Sequence, residues 1–410
     1  MRALVASCVF PPEPVVSAKT SGDVAVFFKS IGYETIVVCP KPTRNYQAEK
    51  SKIYTDPVKT YRLFSLKSNR STFISRFMEN ISFGLSAFFH ILFSKKYDVI
   101  YSNVWPVFAT GLVAAAGKLR GSKVILSVQD LYPESLAQQS RVKSDSLIYR
   151  FLLWLDKKVS SLVDHIIVIS ERFHKAYSDD RDAHPEKLSI ISNWIDTSKI
   201  SSLEKKAARN QLAHITEDFF SDEKAFFIVY GGNIGVASGL DVLPELLDKL
   251  PSNIKFLIAG DGVLLKDLKR RISNLNYEKR VFFFSPWPES YTSVVFSSAD
   301  LLFLPTAPGQ SLVSVPSKLI TYMLSGRPVF AVVDAGSDTA KEISRSQGGF
   351  VCPQAGEEAV SELLVRIADM PKEDLGRAGE LAREYAMAHY SFESVKPKIS
   401  NVLKRIYDKN

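Results

Sequence analysis

The sequence predicts an α/β protein built from two doubly wound domains. Three observations carry that prediction. Strand-like apolar runs alternate with helical segments from the first residues onward. The runs are apolar throughout and end in polar residues, as strands buried on both faces of a parallel sheet do. The pattern lapses once, over a polar stretch near residues 195–222, and then restarts.

In the first half, RALVASCVF (2–10) is a strand, KTSGDVAVFFKSIG (19–32) a helix ending at Gly32, and YETIVVCP (33–40) a strand. YDVIYSN (97–103), SKVILSVQD (122–130) and DHIIVIS (164–170) follow as strands. The stretch from Asp196 to Phe226 is polar and is read as the domain boundary. KAFFIVYGGNIG (224–235) is then a strand running into a Gly-rich loop, GLDVLPELLDKL (239–250) a helix, IKFLIAGDG (254–262) a strand and VLLKDLKRRISNL (263–275) a helix. RVFFFSP, ADLLFLPT, RPVFAVV and GGFVCP continue as short strands, and the segment from Glu357 onward is mostly helical. The expected division is residues 1–195, 196–385 and a final helical segment 386–410. Ligands in such sheets bind at the carboxyl ends of the strands, so two facing domains would share one cleft.

Composition narrows the function. A chain of 410 residues that is 46% hydrophobic and 23% charged has ample core and an ordinary charge density. Its net charge of +8 and pI near 9.1 suit an acidic lipid surface or an anionic substrate. No Arg/Lys-rich arm or nucleic-acid motif occurs, so nucleic acid is not an expected partner. Cys8, Cys39 and Cys352 are widely spaced and have no metal-ligand pattern, which fits a reducing cytosol and a metal-free site. The N-terminal run is short, ends in Pro11-Pro12 and reads as a strand rather than a signal peptide. The segment Ser71–Lys96 is Phe-rich with basic flanks, and its uncharged part is too short to span a bilayer. It is either a helix packed on the first sheet or an interfacial helix that dips into a membrane.

The chemistry-bearing residues lie at predicted strand ends. In SVPSKLITYMLSGRPVF (314–330), Pro316 and Ser317 open a helix and Lys318 falls in its first turn. A cation is disfavoured there unless an anion binds beside it, because the helix N-terminus is already partly positive. Gly231, Gly232 and Gly235 follow a strand and let backbone N–H groups approach a phosphate; a tight strand–helix turn explains them equally. Lys318 with the Gly232–Asn233–Gly235 loop could hold a diphosphate without metal. Asp130, with Glu134 one turn on, is either a helix cap or an acid pair facing the cleft. Glu13, Ser17 and Lys19 follow the first strand and Asn103 ends another, so all four are candidates for the cleft edge. Trp287, between two prolines, either stacks on a base or packs under its loop. No Gly-x-Ser-x-Gly, HExxH or CxxC occurs, which removes hydrolase triads and common metal sites.

Taken in order, FPPEPVVSAKTSGD, QDLYPES, NWID, GGNIG, AGDG and VPSKLITYMLSGRPV resemble family-4 glycosyltransferases of the GT-B fold. The likeness is strongest to the bacterial branch that builds colanic acid, O-antigen and capsule, including L-fucosamine transferase-like enzymes, and it covers nearly the whole chain. It implies two Rossmann-like domains facing across a cleft, with the final helix (SFESVKPKISNVLKRIY) crossing back to the first. It also implies a UDP- or GDP-sugar donor held mostly by the second domain, and an acceptor held by the first. Transfer would retain anomeric configuration, the leaving diphosphate taking the acceptor's proton on the same face.

On this resemblance Lys318, Asp130 and Glu134 are catalytic candidates. Gly232, Asn233, Gly235, Trp287, Ser317, Lys318 and Thr321 fall to the donor, and Glu13, Ser17, Lys19 and Asn103 to the acceptor. The acceptor implied is a polyprenyl-diphosphate-linked saccharide at the cytoplasmic membrane face, with Ser71–Lys96 docking on anionic lipid. The chain departs from the usual pattern in several places. Val313 and Thr321 stand where many members have two glutamates, Asn233 and Ser238 where the loop often carries Arg and Lys, and Gln129 where a histidine is common. A nucleotide-sugar epimerase on the same fold and a non-catalytic nucleotide-sugar or lipid-binding subunit are the alternatives.

Overall fold

The computed structural model describes all residues except 14, 43–57, 67–72, 139–140, 198–199, 314–317, 354–355 and 409–410. The chain divides into two compact units, Met1–Ile195 with Phe392–Asn410, and Asp196–Ser391. The second unit therefore runs to Ser391 rather than to 385. The helix Lys372–Tyr390 belongs to it, and the return to the first unit begins at Phe392.

The first unit holds a seven-stranded parallel sheet: β1 (Arg2–Ser7), β2 (Glu34–Pro40), β3 (Lys59–Leu63), β4 (Val99–Asn103), β5 (Lys123–Val128), β6 (His165–Val168) and β7 (Leu188–Ile190). Its order is β3-β2-β1-β4-β5-β6-β7, so the winding direction reverses between β1 and β4. Two of these strands, β3 and β7, were not expected from the sequence. Both are edge strands, half-exposed over much of their length, and lack the continuous apolar run that marks the central ones. β1 and β4 are apolar and buried because helices cover both faces of the sheet. These include α1 (Val16–Ser30), α2 (Phe73–Phe93), α3 (Val107–Leu119), α4 (Glu134–Gln138) and α5 (Leu147–Leu162). The helix Phe392–Asp408 closes this core with Val395, Ile399, Val402, Leu403 and Ile406, a helical repeat buried against β1 and α1 residues.

The Phe-rich segment forms α2. Its inner face, Phe83, Gly84, Ala87 and Ile91, is buried, and a Cβ on Gly84 would lie 2.7 Å from the Ala109 Cα of α3. The packed-helix reading thus describes that face. Its outer face still exposes Met78, Leu85, Phe89 and Phe93.

The second unit repeats the plan with β8 (Phe226–Gly231), β9 (Ile254–Ala259), β10 (Val281–Phe284), β11 (Leu301–Pro305), β12 (Val329–Val333) and β13 (Gly349–Pro353). All pairs are parallel and the order is β10-β9-β8-β11-β12-β13, reversing between β8 and β11. The polar boundary stretch contains the helix Lys205–Thr216, anchored by Lys205 and Arg209 on Asp300.

Candidate active site

In the second unit the glycine loop leaves β8 beside the helix Lys318–Leu324. Tyr322, fully buried on that helix, fixes the turn: its hydroxyl accepts from the Gly231 N–H at 2.8 Å and donates to the Gly231 carbonyl at 3.1 Å. Gly231 leaves room for the Phe296 ring, whose Cε1 would sit 2.2 Å from a Cβ there. Gly232 adopts φ +143°, and a Cβ on Gly260 at the end of β9 would lie 1.9 Å from the Gly232 carbonyl oxygen. Two strand ends therefore meet through backbone alone, which needs glycine at both positions.

Lys318 reaches back into this turn. Its ammonium donates to the Tyr230 hydroxyl at 2.7 Å and sits 4.1 Å from the centre of that ring. Tyr230 passes the interaction on, donating to the Asn233 carbonyl at 2.6 Å. No carboxylate pairs with Lys318 among the described residues. Burial without a counter-ion lowers its amine to about 7. The half-buried ammonium packs against the glycine turn, 3.6 Å from where a Cβ on Gly232 would stand. Asn233 is exposed, with its side-chain amide folded over Gly235, and Thr321 is half-buried on the Lys318 helix. Trp287 packs on Phe296, ring centres 5.5 Å apart, so it contributes to the core beneath the loop while remaining half-exposed. Ser317 lies outside the described residues.

In the first unit Asn103 ends β4 and is buried. Its side-chain N–H group donates to the Ser21 hydroxyl at 3.0 Å and the Ser17 carbonyl at 3.3 Å, while its side-chain oxygen has no partner. Asn103 lines a cavity of about 320 Å³ with Trp105, Ser127, Gln129, Asp130 and Tyr132, at the carboxyl ends of β4 and β5. Asp130 stands at its rim. The side chain still reaches solvent, but the crowding protein raises its carboxyl above the usual range. Glu13, Ser17 and Lys19 do not line this cavity. Ser17 touches it only through Asn103, Glu13 is buried before α1, and Lys19 is half-buried in the first turn of α1.

Glu134 is a correction. Both of its carboxylate oxygens accept from Arg181, each at 2.8 Å. Arg181 is fully buried and also donates to Asp156 at 2.7 Å and to the Tyr132 carbonyl at 3.0 Å. The Glu134 carboxylate is thus committed to a bidentate pair with Arg181 and does not line the cavity beside Asp130. Its role is to anchor the turn that carries Tyr132 into the cavity. Among the described residues no group of three His, Cys, Asp or Glu is placed to hold a metal ion.

With this geometry in place, residues 22–199 match the family described as Glycosyltransferase Family 4, and residues 214–385 match Glycosyl transferases group 1. The chain belongs to the family-4 glycosyltransferases. The two matched regions fall on the two sheets, and both sheets are the Rossmann-like halves of the GT-B fold. This glycosyltransferase is 26% identical over 335 residues to a probable glycosyltransferase, WbjE, of Pseudomonas aeruginosa, covering 79% of each protein. It is 22% identical to the putative colanic acid biosynthesis glycosyl transferase WcaI of Escherichia coli, covering 98% of this chain and all of that one. Among solved structures, HepE from Anabaena in complex with UDP and glucose has a TM-score of 0.70 at 15% identity, covering 98% and 99% of the two chains.

Within this frame, the residues that sequence reasoning missed in the glycosyltransferase are Tyr230 and Tyr322. Each reads as one more aromatic in an apolar run, and only the fold turns its hydroxyl onto the loop. The one available signal was position, since Tyr230 directly precedes the Gly-Gly pair.

Proposed function

We propose that the second unit binds a UDP- or GDP-sugar, and that the enzyme transfers the hexosyl group with retention to a polyprenyl-diphosphate-linked saccharide. The setting would be bacterial surface polysaccharide synthesis. The observation that carries the reading is Lys318: a cation without a carboxylate partner among the described residues, held by Tyr230 against the glycine turn at the end of β8. A diphosphate would supply the missing counter-charge. Lys318 and the loop N–H groups would then stabilise the negative charge that grows on it as the glycosidic bond breaks. No metal is required for that role. The name of WcaI and the UDP complex of HepE support polysaccharide synthesis and UDP as the first donor to test.

The acceptor falls to the first-unit cavity. Asn103 offers an unpartnered buried oxygen, Trp105 and Tyr132 offer faces for sugar rings, and Asp130 at the rim would orient the accepting hydroxyl. A lipid-linked acceptor requires the protein to work at a membrane surface. No described helix is long and apolar enough to cross one. The exposed outer face of α2 within Ser71–Lys96, with its basic flanks, suits peripheral docking on the inner face of the plasma membrane.

The test is thermal stabilisation by UDP, GDP and ADP and their nucleosides, followed by donor turnover with and without acceptor. A selective diphosphate shift with acceptor-dependent turnover is expected. Turnover of donor alone into an isomer would replace the transferase reading with an epimerase.

A further inference from the structure

α5 has an outer face that a protein surrounded only by water would not keep. Leu147, Ile148, Phe151 and Trp154 recur at helical spacing and are 81%, 62%, 50% and 51% exposed. The opposite face, with Leu152 and Val159, is buried. Large apolar side chains contiguous on one exposed face mark an interaction surface. The face is not isolated from the acceptor cavity. Phe151 stacks near Trp154, ring centres 5.9 Å apart, and lies 6.3 Å from Phe108 of α3. Phe108 in turn meets Phe77 of α2 edge-on at 5.6 Å, and Phe77 is a wall of the cavity that holds Asn103 and Asp130. An aromatic track thus runs from the cavity wall to the exposed helix.

The surrounding charge identifies the occupant. Residues 141–162 carry five basic and two acidic side chains, and one of the acids, Asp156, is buried on Arg181. Arg150 and Lys158 are exposed on the helix, and the Lys158 ammonium lies 5.9 Å from the centre of the Trp154 ring. A two-fold pairing of two copies through this face would bring Arg150 and Lys158 against their own kind. An anionic bilayer neutralises them instead and lets both long side chains reach the headgroups while Trp154 sits at the interface.

We propose that the α5 face of Leu147, Ile148, Phe151 and Trp154 docks on an anionic lipid bilayer, and that Phe108 and Phe77 join that face to the acceptor cavity. This rests on the membrane-surface reading above and adds α5, outside Ser71–Lys96, as a main contact. The cavity then opens beside the layer from which a lipid-linked saccharide is drawn.

The experiment is co-sedimentation of the full chain with phosphatidylglycerol-containing and pure phosphatidylcholine vesicles, for wild type, F151S/W154S and the α2 variant F89S. Wild type is expected to bind the anionic vesicles, and F151S/W154S to lose about tenfold in affinity or more. The nucleotide-induced thermal shift is read on the same samples and should be unchanged. If F151S/W154S fails to fold, W154F replaces it: quenching of tryptophan fluorescence by brominated phosphatidylglycerol, present in wild type, should fall in W154F. Three results overturn the proposal: no vesicle binding by wild type, full binding by F151S/W154S, or a wild-type dimer in sedimentation that the double variant dissociates. Vesicle binding without any nucleotide response would leave the docking face standing and sink the donor reading instead.

Discussion

Replacing Lys318 with methionine keeps most of the side-chain volume and removes the charge. In the wild type the ammonium is held 2.7 Å from the Tyr230 hydroxyl with no carboxylate beside it among the described residues. A hydrogen bond from a charged donor contributes about 1.5–3 kcal/mol, so Lys318→Met should weaken a nucleoside diphosphate roughly 10- to 150-fold. The matching nucleoside lacks the phosphates and should lose less than about twofold. The pH dependence follows from burial. The ligand-free amine titrates near 7 against 10.5 for an unperturbed lysine, and phosphate oxygens favour its charged form. Between pH 7 and 9 binding therefore takes up a proton, and affinity falls by up to about tenfold per pH unit. In the absence of ligand the unfolded chain holds that proton between about 7 and 10.5 while the folded chain does not. Wild-type stability should accordingly rise with pH across that window, and Lys318→Met should be the more stable protein at pH 6 by on the order of 1–3 kcal/mol. Calorimetric titration at pH 7, 8 and 9 in two buffers of different ionisation enthalpy counts the proton directly. Equal losses for nucleoside and diphosphate, or a wild-type affinity flat from pH 7 to 9 without proton uptake, would refute the reasoning.

Other substitutions separate the remaining roles. Tyr230→Phe leaves the ring under Lys318 but removes its hydrogen-bond acceptor, so diphosphate affinity should fall about tenfold while nucleoside affinity holds; calorimetry of both ligands checks this. Asp130→Asn should cut transfer at least tenfold, an order-of-magnitude expectation for an orienting group, with nucleotide-induced thermal shift unchanged. A lost shift would make Asp130 structural. Glu134→Gln should cost about 2 kcal/mol in urea unfolding, less than a fully broken buried pair because Asp156 still faces Arg181. Loss of activity with unchanged stability would restore Glu134 to the chemistry. Gly260→Ala places a Cβ against the Gly232 carbonyl, so it should abolish the nucleotide shift even where the protein remains folded by circular dichroism.

The central strands of both sheets were legible because burial on both faces writes a continuous apolar run into the sequence. β3 (KTYRL) and β7 (LSI) were not, because an edge strand pairs on one side and its residues meet solvent. Their existence is decided by the neighbour they pair with, β2 and β6, which no local pattern records. The end of the second unit was misplaced for a related reason. The helix Lys372–Tyr390 and the helix Phe392–Asp408 meet at Ser391 with no glycine, proline or long polar linker to mark a change of unit.

The site divides along the same line. Lys318 stood out because its oddity is local: a cation at a helix start conflicts with the helix dipole whatever lies around it. Glu134 misled because the same kind of local argument, two acids four residues apart, ignores a partner 47 residues away. Arg181 is a fully buried cation, and a buried guanidinium must be met by carboxylates wherever the chain can supply them. Asp156 and Glu134 accept its hydrogen bonds, with Asp180 a looser third contact at 3.9 Å, and that demand draws Glu134 away from the acid pair with Asp130. The same test, applied to Lys318, gives the opposite result. Among the described residues no carboxylate meets it and Tyr230 is its hydrogen-bond partner; in the function proposed here, the counter-charge that Arg181 finds within the protein comes for Lys318 from the diphosphate.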